Sequence, residues 1–153
     1  ILTIGNLGDS SNAYRIRLWK ITLEIIRDNW LVGVGFGYIP FKTTFETYIR
    51  TMPAYHSHNT YLQTMGEMGI LGLIVFIMLI FVLYKYGIKR LMKQEDRYIR
   101  TMAGGVLAVL AALLAPGSLG RVLYPPKILL TFWTLVGLIL ALMRISGESK
   151  EIS

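Results

Sequence analysis

His58 and Asn59 stand nine residues ahead of Gly69-Ile70-Leu71-Gly72, and the glycines already belong to a long apolar block. An imidazole, with an ordinary pKa of about 6.5, is matched to proton transfer near neutral pH. Asn59, Gln63 and Glu67 recur every four residues, so on a helix they line one face, with His58, Tyr61, Leu62 and Met65 beside it. A polar face at the entrance of a membrane helix must look into a cavity or a neighbouring helix. The second chemical feature is cationic. On a helical wheel of about 100° per residue, Arg15 projects with Thr22 into an apolar surface, roughly opposite Arg17. A charge aimed there is costly unless a partner waits for it. Guanidinium groups bind phosphate oxygens bidentately and keep their charge, so Arg15, and after it Arg17, is a candidate anion ligand. The plainer alternatives are that Arg15 reaches water from a frayed first turn, and that His58 is a hydrogen-bonded helix-terminus residue at the interface. His56 is two residues from His58, but no further ligand stands close by and no Asp-x-Asp element occurs. No metal site and no other cofactor is expected.

The elements that must position these residues are helical. Hydrophobic residues make up 54% of the 153, and the mean hydropathy is +0.51, which is too apolar for an ordinary soluble domain. Uncharged runs occupy 68–84, 101–120 and 128–143, against the roughly 20 residues that cross a bilayer. Transmembrane helices are expected at about 68–84, 101–119 and 127–143. Gly104 and Gly105 suit close helix packing, Pro116 ends or kinks the second span, and Pro125-Pro126 starts the third.

Ahead of the spans, 1–13 reads as a polar connector with Ser10 to Asn12 able to cap. Residues 14–30 read as an amphipathic helix with Arg17, Lys20, Glu24, Arg27 and Asp28 on one stripe. Residues 31–40 form a turn in which Gly33, Gly35 and Gly37 alternate with apolar residues before Pro40; it has no strand-turn-helix setting for a dinucleotide. Residues 41–55 are polar and aromatic with no evident chemistry. A helix begins near Ser57, with Thr60 and Gln63 at capping-box spacing or Ser57 as the cap.

Charge sets the expected orientation. Six cations, Lys85, Lys89, Arg90, Lys93, Arg97 and Arg100, crowd residues 85–100 against Glu95 and Asp96 alone. By the positive-inside rule this loop is cytoplasmic, and residues 1–67 lie outside as an extracytoplasmic region preceding a transmembrane region of 68–153. Arg121 is then a headgroup anchor. The net charge of +7 is accounted for by topology and contact with membrane lipids, which leaves no case for nucleic acid. Cysteine is absent, so there is no disulfide framework. The chain opens on Ile1 without a signal peptide, and the expectation is the C-terminal part of a longer polytopic protein.

Three ordered stretches between about residues 10 and 85 carry a resemblance. They are Arg15-Ile-Arg-Leu-Trp19, the turn Gly33-Val-Gly35-Phe-Gly37, and His58-Asn59 followed after nine residues by Gly69-x-x-Gly72. Together they resemble the O-antigen ligase and O-antigen polymerase superfamily of bacterial membrane enzymes. The resemblance implies an all-α, polytopic glycosyltransferase of the bacterial cytoplasmic membrane whose active face is extracytoplasmic. It would act without a metal on an undecaprenyl-diphosphate-linked oligosaccharide and pass the sugar to a glycan or lipid acceptor. It also implies that Arg15 and His58 are catalytic; Arg17, by its charge, and Asn59, Gln63 and Glu67, by their shared face, are expected to bind substrate. In this chemistry a hydroxyl attacks the anomeric carbon as a lipid diphosphate leaves. Polymerase is favoured over ligase. The competing expectation is a non-enzymatic membrane transporter or assembly scaffold for polysaccharide export, in which the face of Asn59, Gln63 and Glu67 lines a passage.

Overall fold

A computed structural model describes residues 2–52, 56–118, 120 and 123–151. The protein is 80% helical, with no strand among the described residues. Five α-helices follow in order: α1 (Leu2–Asp28), α2 (Tyr38–Tyr48), α3 (Thr60–Tyr86), α4 (Arg97–Leu114) and α5 (Pro126–Glu151). The chain divides into two compact units, residues 1–75 with 117–121, and residues 76–116 with 122–153.

In the first unit α1 packs on α2. Leu18, Ile21 and Ile25 come from the buried stripe of α1, and Phe41, Phe45 and Met52 meet them. The polar stripe of Arg17, Lys20, Glu24, Arg27 and Asp28 is exposed, as the period of about 3.6 requires. Helix α1 nevertheless starts at Leu2 and takes in the segment that composition marks as a connector. No proline interrupts it. A helix nucleated over the amphipathic part propagates at one hydrogen bond per residue, and polar residues tax each step by only about 0.5 kcal/mol. Residues 41–48 likewise form a helix: Phe41 and Phe45, one turn apart, have ring centroids 6.1 Å apart and are both fully buried.

In the second unit α3 runs on into a π-helical turn, Gly87–Leu91, on which α4 and α5 both pack. Leu91, Ala103, Leu110, Phe132 and Ile139 fill the core between them. Gly87 is buried under Leu107; a Cβ there would lie 3.0 Å from Leu107 Cδ2. Asp96 caps α4 by accepting from the Tyr98 N–H at 2.7 Å and the Ile99 N–H at 3.4 Å. At its other end α4 tightens into a 3₁₀ turn, Ala115–Ser118, around Pro116, because proline supplies no N–H to continue the ladder. Pro126 opens α5, where its missing N–H costs nothing.

Three stretches, Thr60–Leu91, Arg97–Gly117 and Pro126–Ser146, are long and apolar enough to cross a membrane. Less than a third of each is buried within the protein, and Phe81, Leu130 and Trp133 are among the large apolar side chains left exposed. Such surface suits lipid and would be costly in water. The protein is a multi-pass membrane protein. Arg121, the expected headgroup anchor, falls outside the described residues.

Candidate active site

The two glycine elements meet backbone to backbone. Helix α3 is broken at Gly69, which has φ 69° and ψ −170°. In an unbroken helix the Gly66 carbonyl would accept from the Ile70 N–H, four residues on. Here that carbonyl accepts from the Val34 N–H at 2.9 Å, and the Ile70 N–H donates to the Trp30 carbonyl at 2.8 Å. The Gly35 N–H donates to the Glu67 carbonyl at 3.0 Å. These three groups beside the break are therefore taken up by the Gly-rich turn and by the Trp30 carbonyl just ahead of it, as burial in a membrane protein demands.

The contact admits no side chain at its centre. A Cβ on Gly69 would overlap the Leu31 carbonyl, and one on Gly33 (φ 71°) would overlap the Glu67 carbonyl. Both glycines also hold positive φ, where residues with a Cβ are strained. The break brings Met68 Cβ against Gly72, leaving no room for a side chain there either. Gly66 faces the Phe41 ring, which a Cβ would approach to 3.3 Å.

A chain of hydrogen bonds leads from this contact to Ser57 and Asn59, the residues on either side of the histidine. The Gly37 N–H donates to Glu67 Oε2 at 3.1 Å, and Gln63 Nε2 donates to Glu67 Oε1 at 2.7 Å. The Ser57 N–H donates to Gln63 Oε1 at 2.6 Å, and Ser57 Oγ donates to the Asn59 carbonyl at 2.8 Å. Gln63 is 1% exposed and Glu67 3%. Their face is the polar one expected from the four-residue spacing, but it looks into the protein. Asn59 caps α3: its Oδ1 accepts from the Tyr61 and Leu62 N–H groups at 3.0 Å each. The Ser57 hydroxyl accepts from the Asn59 N–H at 3.3 Å, ahead of the helix, and the Gln63 side chain, expected to complete a capping box with Thr60, is engaged with Ser57 and Glu67. The Thr60 hydroxyl donates instead to the Gly120 carbonyl at 2.9 Å.

His58 lies between two anchored residues with φ 54°, half-buried and outside the helix. Left-handed backbone in a non-glycine residue costs about 1–3 kcal/mol and is kept where the surroundings enforce it, most often at working sites.

Arg15 is half-buried on the same stripe of α1 as Leu18, Thr22 and Ile25, and Arg17 is exposed. Thr22 is fully buried and returns its hydroxyl to the Leu18 carbonyl at 2.8 Å. Among the described residues neither arginine forms an ion pair; the pairs present are Arg27–Asp28 and Lys42–Glu46. The structure thus brings Ser57, His58, Asn59, Gln63 and Glu67 together, and joins neither Arg15 nor Arg17 to them by a hydrogen bond. Trp19, one turn after Arg15, packs on the α1–α2 core with its indole N–H buried and unmatched among the described residues.

Two parts of this site were hidden in the sequence. The backbone of Gly37 as a partner for Glu67 has no local signal. Helix α2, which supplies Phe41 against Gly66, could have been found from Phe41, Phe45 and Tyr48 at helical spacing behind Pro40. Helices α1 and α2 are also clasped at the surface, where the Tyr48 hydroxyl donates to Asp28 Oδ2 at 2.6 Å. That bond, with the Arg27 guanidinium beside it, holds the Asp28 carboxyl below its usual range, and the same bond pushes the Tyr48 hydroxyl up. A hollow of about 540 Å³ lined by Thr43, Glu46, Thr47 and Arg50 lies on α2 and contains none of the candidate residues. Among the described residues no three His, Asp or Glu side chains gather to hold a metal ion.

The sequence has counterparts in known proteins. Residues 3–77 match the family model described as O-antigen ligase, an interval that holds α1, the Gly-rich turn and the broken part of α3. The exopolysaccharide production protein ExoQ of Rhizobium meliloti (strain 1021) is 33% identical over 121 residues, 74% of this chain and 27% of that protein. The teichuronic acid biosynthesis protein TuaE of Bacillus subtilis (strain 168) is 23% identical over 146 residues, 93% of this chain and 28% of that protein. The chain therefore spans little more than a quarter of the length of these curated relatives. No solved structure gives a significant match. By this family match and these two relatives together, the chain belongs to the O-antigen ligase family.

Proposed function

We propose that the protein is a membrane glycosyltransferase that transfers or polymerises glycan from an undecaprenyl-diphosphate-linked donor, without a metal, on the extracytoplasmic face of the bacterial cytoplasmic membrane. The observation that carries this reading is His58 itself: an imidazole in left-handed backbone, half-buried, directly ahead of the Asn59-capped start of a membrane helix. Membership of the O-antigen ligase family supports it. The names of the two relatives concern exopolysaccharide and teichuronic acid, both polymers, which favours polymerase over ligase.

In the proposed step the oxygen of an acceptor hydroxyl bonds to the anomeric carbon of the donor sugar. His58 takes the hydroxyl proton, and the bond from that carbon to the lipid diphosphate breaks, the diphosphate leaving with the electron pair. Arg15 stabilises the charge that gathers on the leaving group, and Arg17, which projects from the opposite side of α1, is the second candidate for that role. Asn59, Gln63 and Glu67 serve by position: Asn59 holds the helix start, and the Gln63–Glu67 pair ties the His58 segment to the Gly-rich turn.

His58→Gly tests this cleanly, because glycine accepts the positive φ and removes only the imidazole. In the intact membrane protein, polymer or ligated glycan should fall at least about 100-fold at unchanged protein level, the size of a lost general base. Arg15→Ala should fall comparably. Wild-type glycan levels in both variants would remove the catalytic assignment.

A further inference from the structure

We infer that the connection between α3 and α4 is a docking surface for anionic phospholipid, with its headgroup phosphates as the ligand. Lys85, Lys89, Arg90, Lys93, Arg97 and Arg100 are all exposed, and among the described residues none of the six forms an ion pair. Of the two acids in the same stretch, Asp96 is spent on capping α4. Six cations thus stand against two carboxylates, Glu95 and Asp96, and neither forms an ion pair with any of them among the described residues.

The surface is built rather than loose. The Met92 N–H closes the π-helical turn on the Gly87 carbonyl at 3.3 Å, Gln94 Nε2 donates to the Arg90 carbonyl at 3.1 Å, and Arg100 Nη1 donates to the Gln94 carbonyl at 3.3 Å. Leu91 is fully buried beneath it. Wide turns of this kind recur at working sites in helices. Its flanks match the level of lipid headgroups. Arg90 lies over the Tyr86 ring at 5.4 Å, and Lys85 lies 5.8 Å from the rings of both Phe81 and Tyr86, so stems and rings face acyl chains while the charges reach outward. Tyr86, Ile88, Met92 and Tyr98 are exposed among the cations, a mixture that suits a phosphate layer above hydrocarbon better than a soluble acidic protein, which offers no hydrocarbon to cover them. Lys and Arg beside a membrane surface are drawn to anionic lipid.

The test is retention of lipid by the intact protein. Reconstituted in an equimolar mixture of phosphatidylcholine and phosphatidylglycerol, then extracted in mild detergent, the wild type should carry the anionic lipid at about five times its bulk ratio, and the enrichment should fade as salt is raised. The variant K89Q/R90Q/K93Q/R97Q should return to the bulk ratio with its helix content intact. Should that variant fail to fold, K89Q and K93Q singly must each lower the ratio. A bulk ratio in the wild type, or an unchanged ratio in the folded variant or in both single variants, would overturn the inference. Loss of the enrichment to inorganic phosphate at equal phosphate concentration would also overturn it, by identifying a site for free anions.

Discussion

A glycine met by another backbone has no flexible neighbour to give way, so Gly33 and Gly69 are the least replaceable residues of the first unit. Each would need both a relaxed φ and a displaced carbonyl to accept a methyl group. Gly69→Ala and Gly33→Ala should each lose about 2–4 kcal/mol, the joint size of positive-φ strain and overpacking. The loss is measured as a fall in the thermal midpoint of the detergent-solubilised protein. Gly105 is the control: a Cβ there meets nothing within 4 Å, and Gly105→Ala in α4 should be neutral or gain about 0.5–1 kcal/mol from helix propensity. An equal fall for Gly105→Ala and Gly69→Ala would sink the backbone-contact account. Gln63 makes a different demand. Gln63→Leu strips the Ser57 N–H of its acceptor and Glu67 of a donor at once, and leaving two buried partners unmet should cost about 2–4 kcal/mol. Spacing alone found Gln63 and Glu67 on one face. It said nothing of what that face meets, because period describes one helix and burial requires two.

Between elements, the bond from Tyr48 to Asp28 is the one whose strength should follow pH. The folded Asp28 carboxyl titrates lower than in the unfolded chain, through the Tyr48 hydroxyl first and Arg27 second. Its contribution is therefore present above the ordinary carboxylate range, about 4, and is lost as pH falls through the lower folded value. Tyr48 titrates higher when folded, mainly through Asp28. Its contribution is present below the ordinary tyrosine value, about 10, and is lost as pH rises through the higher folded value. Thermal midpoints should hold level between these limits and decline outside them, and Tyr48→Phe should flatten both declines; an unchanged profile in that variant would refute the clasp. Asp28 is exposed and Tyr48 only half-buried, so the effect is small and should shrink in salt. At this scale the sequence was legible where one element repeats one period, as in α1 and the spans. It was least legible at α2, whose polar positions and short length hid two core phenylalanines.

For the molecule as a whole, charge asymmetry predicts an orientation that labelling can check. Native cysteine is absent from the chain, so single cysteines at exposed positions report without background. A membrane-impermeant maleimide applied to intact cells should label Thr47→Cys and spare Glu95→Cys, and inside-out vesicles should reverse the pattern. The opposite result would invert the assignment of His58 to the extracytoplasmic face. What the sequence determined by itself was the membrane class, the number of apolar spans and the residues capable of chemistry. These depend on composition, on charge and on neighbours within a turn or two, which act through short-range physics. What only the tertiary structure decided was which backbone meets which. Trp30, Val34, Gly35 and Gly37 pair across thirty to forty residues with groups at Gly66, Glu67 and Ile70. Every residue but proline carries the same backbone donor and acceptor, so no local pattern selects the partners, and they are chosen only when packing brings the broken helix against the turn.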